Sequence, residues 1–249
     1  MTPRHVAAGG ALLAAGAVGL HSAPALSWIP AVRRPFRVLD GAGHPTHVAL
    51  TFDDGPDAVS TPRILDELDA LGVRATFFLL GENVLRAPDV TRRLVADGHE
   101  VALHGWHHKN SLRVRPRALR ASLVQALDAI ESTGGVRPAL YRPPYGVVTL
   151  GTLLAARSLG LTTVLWGAWG IDWAPTATPA SVRRALAPDL TGGVTVLLHD
   201  SDCTSSPGSW RSTLGALRPL VEELRGRGLT VGPLRDHGVD PAKVPVPTA

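Results

Sequence analysis

Seven short apolar runs rich in β-branched residues, separated by longer segments of helical spacing, constrain the fold of this chain more than any other feature. The runs span residues 47–52, 74–80, 100–103, 139–141, 162–166, 194–198 and 229–231. Between them, apolar side chains recur three and four residues apart, which gathers them on one face of a helix. In 61–71 that face carries Ile64, Leu65, Leu68 and Leu71, and in 116–132 it carries Leu119, Leu123, Leu127 and Ile130. A third face, in 210–225, holds Leu214, Leu217, Leu220, Val221 and Leu224. Pro62, Pro116 and Pro179 stand where helices begin, and Gly72, Gly98, Gly160 and Gly228 where they end, positions that suit each backbone. Such alternation builds parallel strands covered by helices. About seven units in roughly 190 residues suit an α/β fold in the form of a compact, incomplete (β/α) barrel. A doubly wound open sheet is the second choice.

The ends of the chain carry a different pattern. Met1-Thr2-Pro3-Arg4-His5 precedes an apolar run from Val6 to Leu20, and Ser22-Ala23-Pro24-Ala25 follows it. A short basic start, an apolar stretch and a small-residue site form a signal-peptide pattern, cut after Ala25. The run of about 15 residues is shorter than the roughly 20 that span a bilayer. Residues 1–25 are therefore read as a signal peptide or an N-terminal anchor touching the membrane, and the protein as exported, either secreted or held in the cell envelope. Residues 26–43 read as a linker, 44–236 as the single folded domain, and the Pro-rich 237–249 as a loose tail. The single cysteine, Cys203, permits neither an internal disulfide nor a cysteine metal site. Net charge is +4, but Lys109 and Lys243 are the only lysines and no basic run is dense. Nucleic acid is not an expected partner, and nothing in the sequence calls for an obligate protein partner.

Polar residues collect just after the predicted strands, where parallel α/β folds place their sites. The first strand leads into Thr51-Phe52-Asp53-Asp54-Gly55-Pro56. Adjacent carboxylates are costly unless a cation or a proton separates their roles, although Asp, Gly and Pro also suit a plain turn. After the third strand comes His104-Gly105-Trp106-His107-His108. On a helical turn His104 and His108 share one face and can grip one metal. A carboxylate and two histidines supply three ligands and leave a fourth position for water, the layout of a catalytic zinc site. The fourth strand leads into Tyr141-Arg142-Pro143-Pro144-Tyr145-Gly146, in which the Arg142 fork can hold a carboxylate. Residues 166–173 carry three tryptophans and Asp172, and aromatic faces beside a cleft make platforms for sugar rings. The sixth run ends in Leu197-Leu198-His199-Asp200, which can deliver a general acid.

Taken in this order, these five segments resemble the polysaccharide deacetylase family (NodB-type, carbohydrate esterase family four). The matching residues are Thr51 to Pro56; His104 and His108; Arg142, Pro144 and Tyr145; Asp172 and Trp173; Leu197 and His199. The likeness runs from about Thr46 to Leu234. It implies a distorted (β/α) barrel that removes N- or O-acetyl groups from a polysaccharide, and a divalent ion, zinc first, then cobalt or another transition metal. It implies that Asp54, His104 and His108 bind the ion and that Asp53 is the base that activates its water. By the same resemblance, His199 protonates the leaving group, Arg142 orients Asp53, and Asp172 holds His199. The Tyr145 backbone N–H would face the oxyanion, while Leu197 and Trp173 would shape the acetyl pocket and sugar groove. One departure is visible: Gly105 stands where the family usually has Ser or Thr, which puts the rigidity of that loop in question. A second open point is the stretch 201–210, rich in Ser, Pro and Gly, which is either part of the groove or plain surface.

Two other functions fit parts of the pattern. A metal phosphoesterase needs more bridging ligands than the three gathered here. A glycan-binding module accounts for the tryptophans but not for Asp53, the metal trio and His199 together. Among glycans, peptidoglycan leads because the protein is read as exported; chitin-type oligomers and acetylated xylan are the alternatives.

Overall fold

The computed structural model describes residues 16, 19, 21–28 and 39–239. Most of the apolar N-terminal run, and the tail from 240, lie outside the described residues. No described helix is long and apolar enough to cross a membrane.

The strands are β1 (His47–Asp53), β2 (Thr76–Leu80), β3 (Glu100–Gly105), β4 (Leu140–Tyr141), β5 (Thr162–Thr163), β6 (Ala168–Trp169), β7 (Thr195–His199) and β8 (Thr230–Gly232). They form one sheet in the order β5-β4-β3-β2-β1-β7-β6, with β8 paired to β1. Every pairing is parallel. β1 is the axis of the sheet: β7 runs beside it from Ala49 to Asp53, β2 takes its upper end from Thr51, and β8 its lower end up to Ala49. All residues of β1 and β2 are buried, as expected of strands covered on both faces.

The two outer strands, β5 and β6, are neighbours in sequence. Only residues 164–167 separate them, although they sit at opposite ends of the strand order. Those residues reach about 18 Å at full stretch, so the sheet must curl until its edges nearly meet. The expected incomplete barrel is therefore present. Arg142 plugs the gap: its Nε and Nη2 donate to the carbonyls of Val164 and Leu165, at 3.2 and 2.6 Å. One expectation fails here in detail. The run 162–166 gives a strand only at Thr162–Thr163, and a separate strand follows at Ala168–Trp169, because the chain must break its ladder to cross the gap.

Helices α1 (Ser60–Ala70), α2 (Gly81–Arg86), α3 (Pro88–Ala96), α4 (Pro116–Gly134), α5 (Leu150–Ser158), α6 (Pro179–Leu186) and α7 (Trp210–Gly226) cover the sheet. The predicted stripes face inward: Ile64, Leu65 and Leu68 of α1, Leu123, Leu127 and Ile130 of α4, and Leu217, Leu220 and Val221 of α7 are all in the main core. Pro116 and Pro179 open their helices, where the missing N–H costs nothing. Thr178 and Ser181 exchange hydrogen bonds across the first turn of α6.

The packed region is wider than residues 44–236. The Leu39 carbonyl accepts from the Leu165 N–H at 2.6 Å, and the Gly41 carbonyl from the Thr195 hydroxyl at 2.7 Å. The end of the supposed linker is thus built into the barrel floor. His237, read as the first tail residue, is fully buried with its Nδ1 2.7 Å from that of His47.

Candidate active site

The upper ends of the strands bring the sequence-flagged residues into one cleft of about 660 Å³. Asp53 ends β1 and Asp54 follows it; His104 lies near the end of β3; Arg142 follows β4; His199 ends β7. The cleft is lined by Asp53, Asp54, His104, His108, Tyr145, Trp173, Leu197 and His199. Arg142 and Asp172 stand behind that lining, fully buried.

Asp54, His104 and His108 present ligand atoms within 4.8 Å of one another. Asp54 Oδ1 is 3.3 Å from His104 Nε2 and 3.4 Å from His108 Nε2. This carboxylate oxygen is buried and has no hydrogen-bond donor. His104 Nδ1 is 2.8 Å from the Arg142 carbonyl. A carbonyl only accepts, so Nδ1 carries the proton, and in the neutral ring Nε2 is left as a lone pair aimed at an anion. A second proton on the ring, a water donating to both atoms, or a cation among the three groups relieves that opposition. The donor set of one carboxylate and two imidazoles is the set that zinc and its transition-metal neighbours take. Burial alone would raise the Asp54 carboxyl, but a hydrogen bond from His104, made when that ring carries its second proton, and the charge of His199 override it and hold the group ionised well below the usual range. Burial pushes His108 down to about 4, so its ring is neutral at pH 7 with a lone pair to give.

The pair does not sit on a helical turn, as its spacing suggested. His104 is within β3, at an irregularity where Leu79 pairs with Leu103 and Leu80 with Gly105. Such a bulge re-aims a side chain at a strand end. Gly105 then turns at φ +123, a region that a side chain disfavours, and carries the chain round to His108. The loop is held by its backbone: Glu82 N–H donates to the Trp106 carbonyl at 3.2 Å and Lys109 N–H to that of His107 at 2.8 Å.

Asp53 and His199 flank this group. Arg142 Nη1 donates to Asp53 Oδ1 at 2.7 Å and to the Thr51 hydroxyl oxygen at 2.9 Å. With its other nitrogens on Val164 and Leu165 and its fork stacked 4.0 Å from the Phe78 ring centroid, Arg142 cannot swing away. Asp53 Oδ2 stays toward the cleft, 3.8 Å from His104 Nε2. On the other side, His199 Nδ1 meets Asp172 Oδ1 at 2.8 Å. Asp172 Oδ2 accepts from the His199 N–H at 2.7 Å and from the Thr213 hydroxyl at 2.6 Å. Burial opposes a charge on His199, but Asp172, with smaller help from Asp54 and Asp53, pushes its pKa up to about 10. The ring is therefore a proton donor at neutral pH.

Among described non-glycine residues, positive φ occurs at Asp54, Tyr145 and Ile171, each in this site or next to it. Such strain persists only where the surroundings impose it. Tyr145 sits on the short turn Pro144–Gly146 at the cleft mouth, half-exposed, with its ring against His108 at 4.3 Å between centroids. Trp173 is exposed, and it stacks on Trp169, which leans on Trp166. Part of 201–210 belongs to the groove: Thr204 and Ser205 line the cleft, and the Thr204 hydroxyl donates to Asp54 Oδ2 at 2.5 Å. Thr204 was not singled out from sequence, nor was Asn83, whose side chain donates to the Asp54 carbonyl at 2.9 Å. A lone hydroxyl or amide in a loop has no spacing to betray it.

The chain was compared with known families, proteins and structures. The family described as polysaccharide deacetylase matches residues 40–164. A peptidoglycan-N-acetylglucosamine deacetylase of Bacillus cereus is 32% identical over 205 residues, covering 81% of this chain and 72% of that protein. A chitooligosaccharide deacetylase of Bradyrhizobium sp. is 37% identical over 212 residues, covering 82% and 94%. The crystal structure of a peptidoglycan N-acetylglucosamine deacetylase, in complex with 4-naphthalen-1-yl-N-oxidanyl-benzamide, superposes with a TM-score of 0.74 at 29% identity, covering 79% of this chain and 91% of that one. The family match takes in the first three of the five motifs and the relatives cover about four fifths of the chain, and the chain belongs to the polysaccharide deacetylase family, carbohydrate esterase family four, as one of its enzymes.

Proposed function

We propose that this protein is a metal-dependent hydrolase that removes acetyl groups from an N-acetylated glycan of the cell envelope, with peptidoglycan first among the candidates. The observation that carries this reading is the unpartnered Asp54 Oδ1 between two imidazole nitrogens, with a carboxylate held by Arg142 on one side and a histidine held by Asp172 on the other. Asp54, His104 and His108 would hold a divalent ion, which when bound polarises the acetyl carbonyl and acidifies a water. Asp53 takes the proton of the attacking water. Arg142 anchors one of its oxygens, so the other faces the reacting atoms in a fixed direction. The Tyr145 backbone N–H, presented by the strained turn, donates to the oxyanion. His199 gives its proton to the leaving nitrogen, which a poor amine leaving group requires, and Asp172 keeps the ring charged and oriented. Leu197 closes the acetyl pocket, and Trp173, stacked on Trp169, offers its face to a sugar ring.

Among the described residues, the cleft lining includes carboxylates and aromatics but no lysine or arginine. A neutral N-acetylglucosamine unit fits that surface better than a sugar bearing its own carboxylate, which would come close to the carboxylates of Asp53 and Asp54. The names of both curated relatives, one acting on peptidoglycan N-acetylglucosamine and one on chitooligosaccharide, support this choice. The test is acetate release from peptidoglycan, chitin oligomers and acetylxylan by protein lacking residues 1–25. Release from the first two substrates at least tenfold faster than from acetylxylan is expected; exclusive activity on acetylxylan or on an aryl phosphate would overturn the assignment. Export follows from the N-terminal pattern and from an envelope substrate, and is tested by finding the cleaved chain outside the cytoplasm.

A further inference from the structure

We infer that Thr204 is a positioning residue for the metal ligand Asp54, and that through it the loop after β7 adjusts the metal affinity of the site. The inference rests on the metal-dependent reading above and goes beyond its ligand set. The two oxygens of Asp54 have different surroundings. Oδ1 faces the two imidazoles without a donor, whereas Oδ2 accepts from the Thr204 hydroxyl at 2.5 Å. A carboxylate free at both oxygens can rotate and offer either one. With Oδ2 occupied, rotation breaks a charge-assisted hydrogen bond, so Oδ1 is the oxygen presented to the ion. Hydrogen bonds of this kind to a ligating group set its orientation and its affinity.

The rest of Asp54 is gripped from the same side. Its carbonyl accepts from Asn83 Nδ2 at 2.9 Å and lies 3.5 Å from Cys203 Sγ. These contacts fix the backbone of a residue at φ +79 but leave the carboxylate free to turn. Thr204 supplies what they do not. Its loop is tied to the sugar-binding wall as well, since Ser206 N–H donates to the Trp173 carbonyl at 3.3 Å. Thr204 is itself exposed and lines the cleft. A glycan lying along Trp173 therefore touches the loop that orients the ligand.

The test is metal affinity, read by chelator competition with zinc and with cobalt in full-length folded protein, alongside the visible spectrum of the cobalt form. Thr204→Val keeps the shape and removes the donor; Thr204→Ser keeps the donor. Valine is expected to weaken zinc binding by about 10-fold to 100-fold and to alter the cobalt bands, and serine to stay within about threefold of the parent. Unchanged affinity and spectrum in Thr204→Val, with Asp54→Ala losing the metal, would overturn the role of Thr204 and leave the deacetylase reading standing. A parent protein that takes up neither ion would overturn both. Equal losses in the Ser and Val variants would also refute the inference, because the hydroxyl would then not be the cause.

Discussion

Asp53 and Asp54 are neighbours in sequence with opposite surroundings, and the division of labour proposed for them at the residue scale rests on that difference. Asp53 is held by a buried arginine; Asp54 opens toward two imidazoles. Asp53→Asn is predicted to lower kcat by about 10²- to 10⁴-fold, the usual contribution of a general base, while zinc affinity stays within about threefold. Steady-state kinetics and metal titration on one preparation check both halves. His199 gives a second prediction. Its pKa stands near 10 against an ordinary 6.5 because Asp172 outweighs burial. In the proposed role His199 acts while protonated, so kcat is predicted to fall as pH rises through its pKa. A bound dication opposes the smaller contributions of Asp54 and Asp53, so in loaded enzyme the alkaline limb lies below 10. Asp172→Asn removes the largest charge and is predicted to move that limb down by at least about one pH unit. An unmoved limb would show that another group is the acid.

At the scale of elements, the β3 bulge and the β5–β6 gap decide where the chemistry stands. Neither was legible in sequence. The spacing of His104 and His108 suggested a helix, but a strand irregularity and the Gly105 turn bring them together instead. Ala168–Trp169, a strand of two residues, is too short to show alternation, whereas Leu140–Tyr141 falls within the apolar run 139–141. The long helices were readable because their stripes repeat over several turns: Leu65 and Leu217 are buried as their phase required. Leu65→Ala is predicted to cost roughly 2–5 kcal/mol by leaving a cavity in the core, measurable by urea unfolding. Arg142 closes the gap between β5 and β6 with two carbonyl bonds while it orients Asp53. Arg142→Lys is predicted to lose both functions, lowering stability and activity together, because an ammonium lacks the planar fork.

Across the whole molecule, the site sits at one end of the barrel and a set of buried neutral histidines at the other. His47 and His237 share one hydrogen bond on the floor, where burial lowers both and takes His237 to about 4; burial likewise lowers His99 to about 4. Each depressed base binds its proton more weakly folded than unfolded. The contribution of these histidines should therefore be complete above about 6.5 and be lost as pH drops toward 4, a loss read by thermal unfolding of the metal-free protein at acid pH. His199 acts in the other direction, its contribution being complete below 6.5 and fading as pH climbs toward 10. The floor was invisible in sequence because its partners, His47 and His237, lie 190 residues apart. The top was visible because each strand end carries its own short motif, and five motifs in order survive any uncertainty in the elements between them.

Acetate release before and after metal removal is the most direct test of the central claim. N-acetylated chitin oligomers would be incubated with the parent protein as prepared, after exhaustive chelation, and after zinc is restored, with His104→Ala beside it. The account predicts release that disappears on chelation, returns with zinc, and is absent throughout in His104→Ala. Release that persists in fully chelated protein, or in His104→Ala, would contradict it.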